Sequence, residues 1–231
     1  MIAEFIGHGI HEDDNETCGN YICSSLKNPV FTDITVFVAF IRKPGLLELK
    51  PFIQKAISEN RKVTFFVGRN EFITSKEALE LLLELGVATY IYNADLFIYH
   101  PKVYLFEGNK NRIITGSSNL TKTGLFYNVE CSLLLDFSSQ DSAGMKVLNQ
   151  LKDYFAPLLD FSDPNLEFVT QEHIDKLFAD NLIPTENFEY DINYVVNENK
   201  KDKRKFNTPD IGELGNLEVV DDKPRKKYKN H

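Results

Sequence analysis

The chain is expected to fold as an α/β domain, a sheet covered by helices, on three observations. From Asp33 to Phe137 short β-branched or aromatic runs alternate with stretches of helical apolar period. Helix caps and turn residues punctuate these runs. The 231 residues are 42% apolar, enough for a single core.

The first buried strand is read from Ile34 to Phe40, followed by an amphipathic helix from Leu46 to Glu59 and a second strand, Val63–Val67, ending at Gly68. Ser75 caps a helix over Lys76–Leu85, which Gly86 stops, and Ala88–Tyr92 forms the next strand. His100–Glu107 alternates as a strand. Gly108-Asn109-Lys110-Asn111 is hairpin-turn chemistry leading into Arg112–Thr115. Asn119-Leu120-Thr121 opens a short helix, Val129–Phe137 is a strand, and Ala143–Leu159 an amphipathic helix. Beyond Asp160 the composition changes, so residues 1–160 are read as the main domain and 161–231 as a small helical appendage, with a helix at Gln171–Asp180, and a polar, basic tail.

A net charge of −8 excludes a uniformly basic nucleic-acid coat, so any polyanion site must be local. Three cysteines make no disulfide framework and suit a reducing compartment. No basic region followed by an apolar core and cleavage site starts the chain, and no apolar run approaches the ~18 residues of a membrane span. A cytoplasmic protein without a membrane partner is expected.

The chemistry concentrates in His100-Pro101-Lys102 and, one hairpin later, Gly116-Ser117-Ser118-Asn119. A histidine and a lysine two apart on a strand project to one face. The small turn supplies hydroxyl, amide and backbone donors, so the two segments suit a nucleophile beside an oxyanion clamp.

The pattern His100-x-Lys102, an acidic Glu107, then Gly116-Ser117-x-Asn119 resembles the phospholipase D superfamily motif. The continuation through Leu120-Thr121 and Glu130 is similar to the single-motif branch that holds restriction endonucleases of the NgoFVII type and phospholipase D-like modules attached to helicases. The resemblance covers roughly residues 30 to 160. It implies a phospholipase D-like mixed sheet flanked by helices and a metal-independent phosphodiesterase acting on DNA without a cofactor. It departs from the motif at Glu107, where the family has aspartate, and in the eight residues between Glu107 and Gly116 where the family has six.

Glu107 is therefore treated as a structural acid. One motif where the chemistry needs two implies a homodimer with the site across its axis. On the same resemblance the catalytic set is His100, Lys102, Ser117, Asn119 and Glu130, with Glu130 orienting the imidazole, and a helicase, specificity or methyltransferase partner supplies target choice. The alternatives are a DNA-binding and dimerisation module with vestigial catalysis, and a phospholipase.

Three other features invite a functional reading. His8, His11, Glu12, Asp13, Asp14, Cys18 and Cys23 match no strong zinc spacing, and no metal is expected. Phe65, Phe66, Phe97, Tyr99, Tyr104 and Phe106 are read mainly as core, with base stacking the alternative. The basic clusters at 200–205 and 223–227 are read as solvated, with a phosphate-binding arm as the alternative.

Overall fold

The computed structural model describes residues 1–10 and 16–186. An eight-stranded mixed sheet runs through it in the order β1-β7-β6-β5-β2-β3-β4-β8. Its strands are β1 (Ile2–His8), β2 (Phe31–Val38), β3 (Lys62–Gly68), β4 (Ala88–Tyr92), β5 (Lys102–Gly108), β6 (Asn111–Gly116), β7 (Glu130–Phe137) and β8 (Leu166–Phe168). The helices are α1 (Cys18–Lys27), α2 (Lys43–Ser58), α3 (Lys76–Glu84), α4 (Lys122–Phe126), α5 (Ser142–Tyr154), α6 (Ala156–Leu159) and α7 (Gln171–Ala179).

The expected crossovers set the centre of the sheet. β2, β3 and β4 are parallel, joined by α2 and α3, while the hairpin β5–β6 adds antiparallel to the other side of β2. Period-2 alternation divides the side chains between two layers. Val36, Val38, Phe65, Tyr104, Ile114 and Leu134 face the core shared with α1, α2 and α3. Phe37 and Phe66 face Phe155 and Leu158, while Leu105 and Ile113 face Leu148 of α5. Each fully buried Leu, Ile or Phe contributes about 1.5–3 kcal/mol.

β1, α1 and β8 were not expected. α1 is rich in poor helix formers, Gly19, Asn20, Ser24 and Ser25 among them, so propensity does not announce it. Burial of Cys18, Ile22, Cys23 and Leu26 and the Thr17 cap, which accepts from Asn20 N at 3.2 Å, hold it instead. The expected helix over residues 143–159 is two helices broken at Phe155. Pro157 lacks an N–H and its ring opposes continuation of the preceding turn.

Of the appendage read from residue 161, residues 161–186 pack on the sheet body. β8 pairs with β4, and Ile174, Leu177 and Ile183 join the core that contains α3. The basic clusters of the tail, together with His11, Glu12, Asp13 and Asp14, lie outside the described residues. Among the described residues no helix is long and apolar enough to cross a membrane.

Candidate active site

The register lines up one row across the sheet. Val38 of β2 stands opposite Lys102 of β5, Gly116 of β6 opposite Ser132 of β7, and Ser132 opposite Ile6 of β1, while the pair Glu130 and His8 lies two residues further out along β7 and β1. This row lies where the parallel strands β2, β3 and β4 end, the edge at which open α/β sheets place their sites.

His100 and Pro101 precede β5, so the histidine is not on the strand as expected and Lys102 is its first residue. The pair nevertheless meets. Lys102 Nζ lies 2.8 Å from His100 Nδ1, 2.9 Å from Nε2 and 3.2 Å from its carbonyl oxygen. Phe40, just after β2, sets its ring edge-on to the imidazole at 5.5 Å. Lys102 is buried while His100 is exposed, so the cation is held from below and the imidazole is left open to a substrate.

The Gly-Ser-Ser-Asn turn is fixed from both sides. Ser117 N donates to Cys131 O at 3.0 Å, and Tyr104 OH, fully buried, donates to Ser118 O at 2.9 Å. Leu120 N donates to Phe40 O at 3.2 Å, tying the turn to the loop beside His100. Gly116 is required by close approach, since a Cβ there would stand 2.2 Å from Cys131 O. Ser117 Oγ donates to Glu130 Oε2, and Asn128 Nδ2 donates to Glu130 Oε1 at 3.2 Å. Asn119 Oδ1 is buried without a hydrogen-bond partner among the described residues; it is an acceptor, and the amide Nδ2 is the end that donates to a ligand oxygen. Thr121 caps the short α4, accepting from Gly124 N at 3.0 Å.

The electrostatics separate two carboxylates. Partial desolvation lowers the pKa of the exposed His100 from its ordinary 6.5, the Lys102 cation lowers it further, and Glu71 opposes both. Burial also lowers the Lys102 pKa, and Glu130 opposes that shift. Glu130 thus acts on Lys102 and Ser117, with no hydrogen bond to the imidazole, and the carboxylate whose field reaches His100 is Glu71. Sequence alone does not bring Glu71 to the site. It sits in the loop after β3, where Glu71 and Phe72 both take left-handed backbone, φ 63° and 53°.

Residues 53–159 match the family described as cardiolipin synthase, PLD-like domain. No curated protein sequence matches the chain. Among solved structures it is similar to Nuc, a phospholipase D family member from Salmonella typhimurium, with TM-score 0.52 and 13% identity over 74% of this chain and 99% of that one. The chain has the phospholipase D-like fold. NucT from Helicobacter pylori gives TM-score 0.51 and 13% identity over 73% of this chain and 99% of that one. Phosphatidylserine synthase from Haemophilus influenzae gives 0.51 and 14% over 77% of this chain, which spans 44% of the synthase.

In this phospholipase D-like fold the departure at Glu107 has a local explanation. Strand alternation puts Glu107 on the face opposite Lys102, where it accepts from Lys152 of α5 at 2.5 Å. It joins helix to sheet and is remote from the histidine's face.

The N-terminal polar cluster also resolves in part. Cys18 and Cys23 are buried, and their thiols are pushed up to about 11 and about 12, chiefly by burial. His8 is buried and pairs in register with Glu130, two residues beyond the row of Lys102 and Ser132.

The field at His100 sets a pH expectation. A neutral imidazole persists below pH 6.5 and is lost as pH falls through the lowered pKa. Glu71→Gln removes the one influence that raises this pKa. The acid limb of the activity profile is therefore expected at lower pH in this variant than in the natural chain, measured as kcat/KM across pH ~4 to 8.

Proposed function

We propose that the chain is a metal-independent phosphodiesterase that cleaves DNA through a phosphohistidine intermediate, its site completed by a second copy of the chain. The contact of Lys102 Nζ with both ring nitrogens of an exposed His100 is the observation that most supports this reading. A neutral His100 nitrogen attacks phosphorus, the bond to the leaving oxygen breaks, and His100 of the partner subunit gives that oxygen its proton. The same partner imidazole then takes a proton from water, whose oxygen displaces His100 from phosphorus and regenerates both groups.

Lys102 and Asn119 Nδ2 bear on the non-bridging oxygens, where charge grows in the five-coordinate transition state, and Ser117 joins them by turning its hydroxyl proton from Glu130. Glu130 holds the Ser117 hydroxyl and supports the charge on Lys102. One chain supplies one His-x-Lys motif, and the two-histidine chemistry motivates the homodimer. DNA as substrate rests on the resemblance of the motif to the single-motif nuclease branch. In that setting the chain serves as a restriction-type endonuclease or as the nuclease module of a larger system, with a helicase, specificity or methyltransferase partner choosing the target.

The test is cleavage of plasmid and single-stranded DNA in excess EDTA, beside a panel of phospholipids, with sedimentation and specific activity followed over a dilution series. Expected are metal-free DNA cleavage and a specific activity that falls as dimer dissociates. DNA bound but uncut would overturn catalysis in favour of a docking module, and phospholipid turnover alone would overturn the DNA assignment. A monomer with undiminished activity would remove the composite site.

A further inference from the structure

A cleft of about 590 Å³ opens beside His100, which forms part of its wall. Its size falls in the range of small-ligand sites, about 300–1,000 Å³. Tyr92 and Phe97, ring centroids 6.1 Å apart, line it together with Tyr154 and Phe155, which meet edge-on at 4.9 Å. Two of these rings are spread to solvent: Tyr154 is 78% exposed and Phe97 54%. The sequence reading assigned Phe97 mainly to the core, and it is not there.

The lining has one charge besides any on His100, the carboxylate of Asp163. Its Oδ2 accepts from Tyr92 OH at 3.1 Å, and its Oδ1 accepts from Asn165 N at 2.9 Å and Asn165 Nδ2 at 3.0 Å. A carboxylate has about four acceptor positions, so Asp163 is held in place with capacity for one more donor. It repels a phosphate, which is therefore left to Lys102. An acyl chain would strip water from the carboxylate and return no hydrogen bond. A nucleobase satisfies both parts of the lining: its faces stack on tyrosine and phenylalanine, and an exocyclic amino group donates to Asp163.

We propose that this cleft takes an unstacked nucleobase adjoining the scissile phosphate, and so that the substrate is single-stranded or locally opened nucleic acid. The inference rests on the phosphodiesterase reading of His100. A base inside a duplex is stacked on both faces and cannot reach these rings without being turned out. Bases carrying an amino group are favoured over thymine, which offers Asp163 no such donor.

The experiment measures binding in a protein that cannot cut. His100→Ala protein is titrated into a short single strand carrying one 2-aminopurine, whose fluorescence falls when it stacks, and the titration is repeated with His100→Ala/Tyr154→Ala. Because the Tyr154 ring is mostly exposed, its removal spares the core.

Quenching is expected in the first protein, with binding weakened about 5- to 150-fold and quenching reduced in the second, the span reached by base–aromatic stacking. Unquenched fluorescence, or equal binding by both proteins, would overturn the cleft assignment. So would vesicles of phosphatidylglycerol and phosphatidylcholine that bind in a Tyr154-dependent way while the oligonucleotide does not, which would assign the cleft to lipid. The uncut-binding measurement is independent of catalysis. Absence of DNA cleavage by the natural chain therefore counts against the phosphodiesterase reading, and loss of base stacking counts against the cleft.

Discussion

His100→Ala is expected to lower DNA cleavage on the order of 10⁴- to 10⁶-fold, the scale of loss when a hydrolase loses its nucleophile or the base that activates it. In a composite site the substitution removes the attacking imidazole and, from the second copy, the acid that protonates the leaving oxygen. The two losses do not add, because neither half of the reaction proceeds without the other. Fold should be retained. The ring is exposed and its packing is one edge contact with Phe40, so thermal unfolding is expected within a few degrees of the natural chain. Lys102, freed from both ring nitrogens, keeps the His100 carbonyl at 3.2 Å and stays available to a phosphate, so DNA binding is expected to persist. Cleavage within about tenfold of the natural chain would remove His100 from the nucleophile's role, since no named mechanism leaves so much activity without it.

What the sequence made legible follows from which forces act locally. The β2–α2–β3–α3–β4 run was readable because its apolar periods, the Ser75 cap and the Gly86 stop agree with each other. The His-x-Lys and Gly-Ser-Ser-Asn segments were readable as a pair because the hairpin β5–β6 joins them, and its turn chemistry is explicit. β1 was hidden because only Ile6 and His8 of its seven residues are buried, which gives no alternation to detect. β8 has three residues and exists through its pairing with β4. Glu71 and the edge-on Phe40 were hidden for a different reason. Each reaches His100 only after the parallel strands are stacked, and a site built from loop ends is a property of topology. The rule that sites gather beyond the ends of parallel strands would have directed attention to the segments after Phe40 and Gly68, without naming the residues.

Lys102→Met is the second large effect expected, a fall in kcat of about 10²- to 10³-fold, comparable to removal of one oxyanion donor. Methionine keeps an unbranched side chain in the same buried space, so loss of charge outweighs loss of packing. The rate alone does not separate a chemical role from damage to the site, but the pH profile does. The Lys102 cation lowers the His100 pKa, so its removal raises that pKa and moves the acid limb to higher pH. Glu71→Gln moves the limb the other way. In the proposed composite site two imidazoles titrate together, so the apparent pKa values belong to the pair and both limbs of the profile are expected to move together in each variant. A misfolded or loosened site would lower the rate of both variants without giving shifts of opposite sign. Equal or same-direction shifts would therefore show that the charge of Lys102 does not govern the protonation of His100, and that its contact with the ring is packing alone.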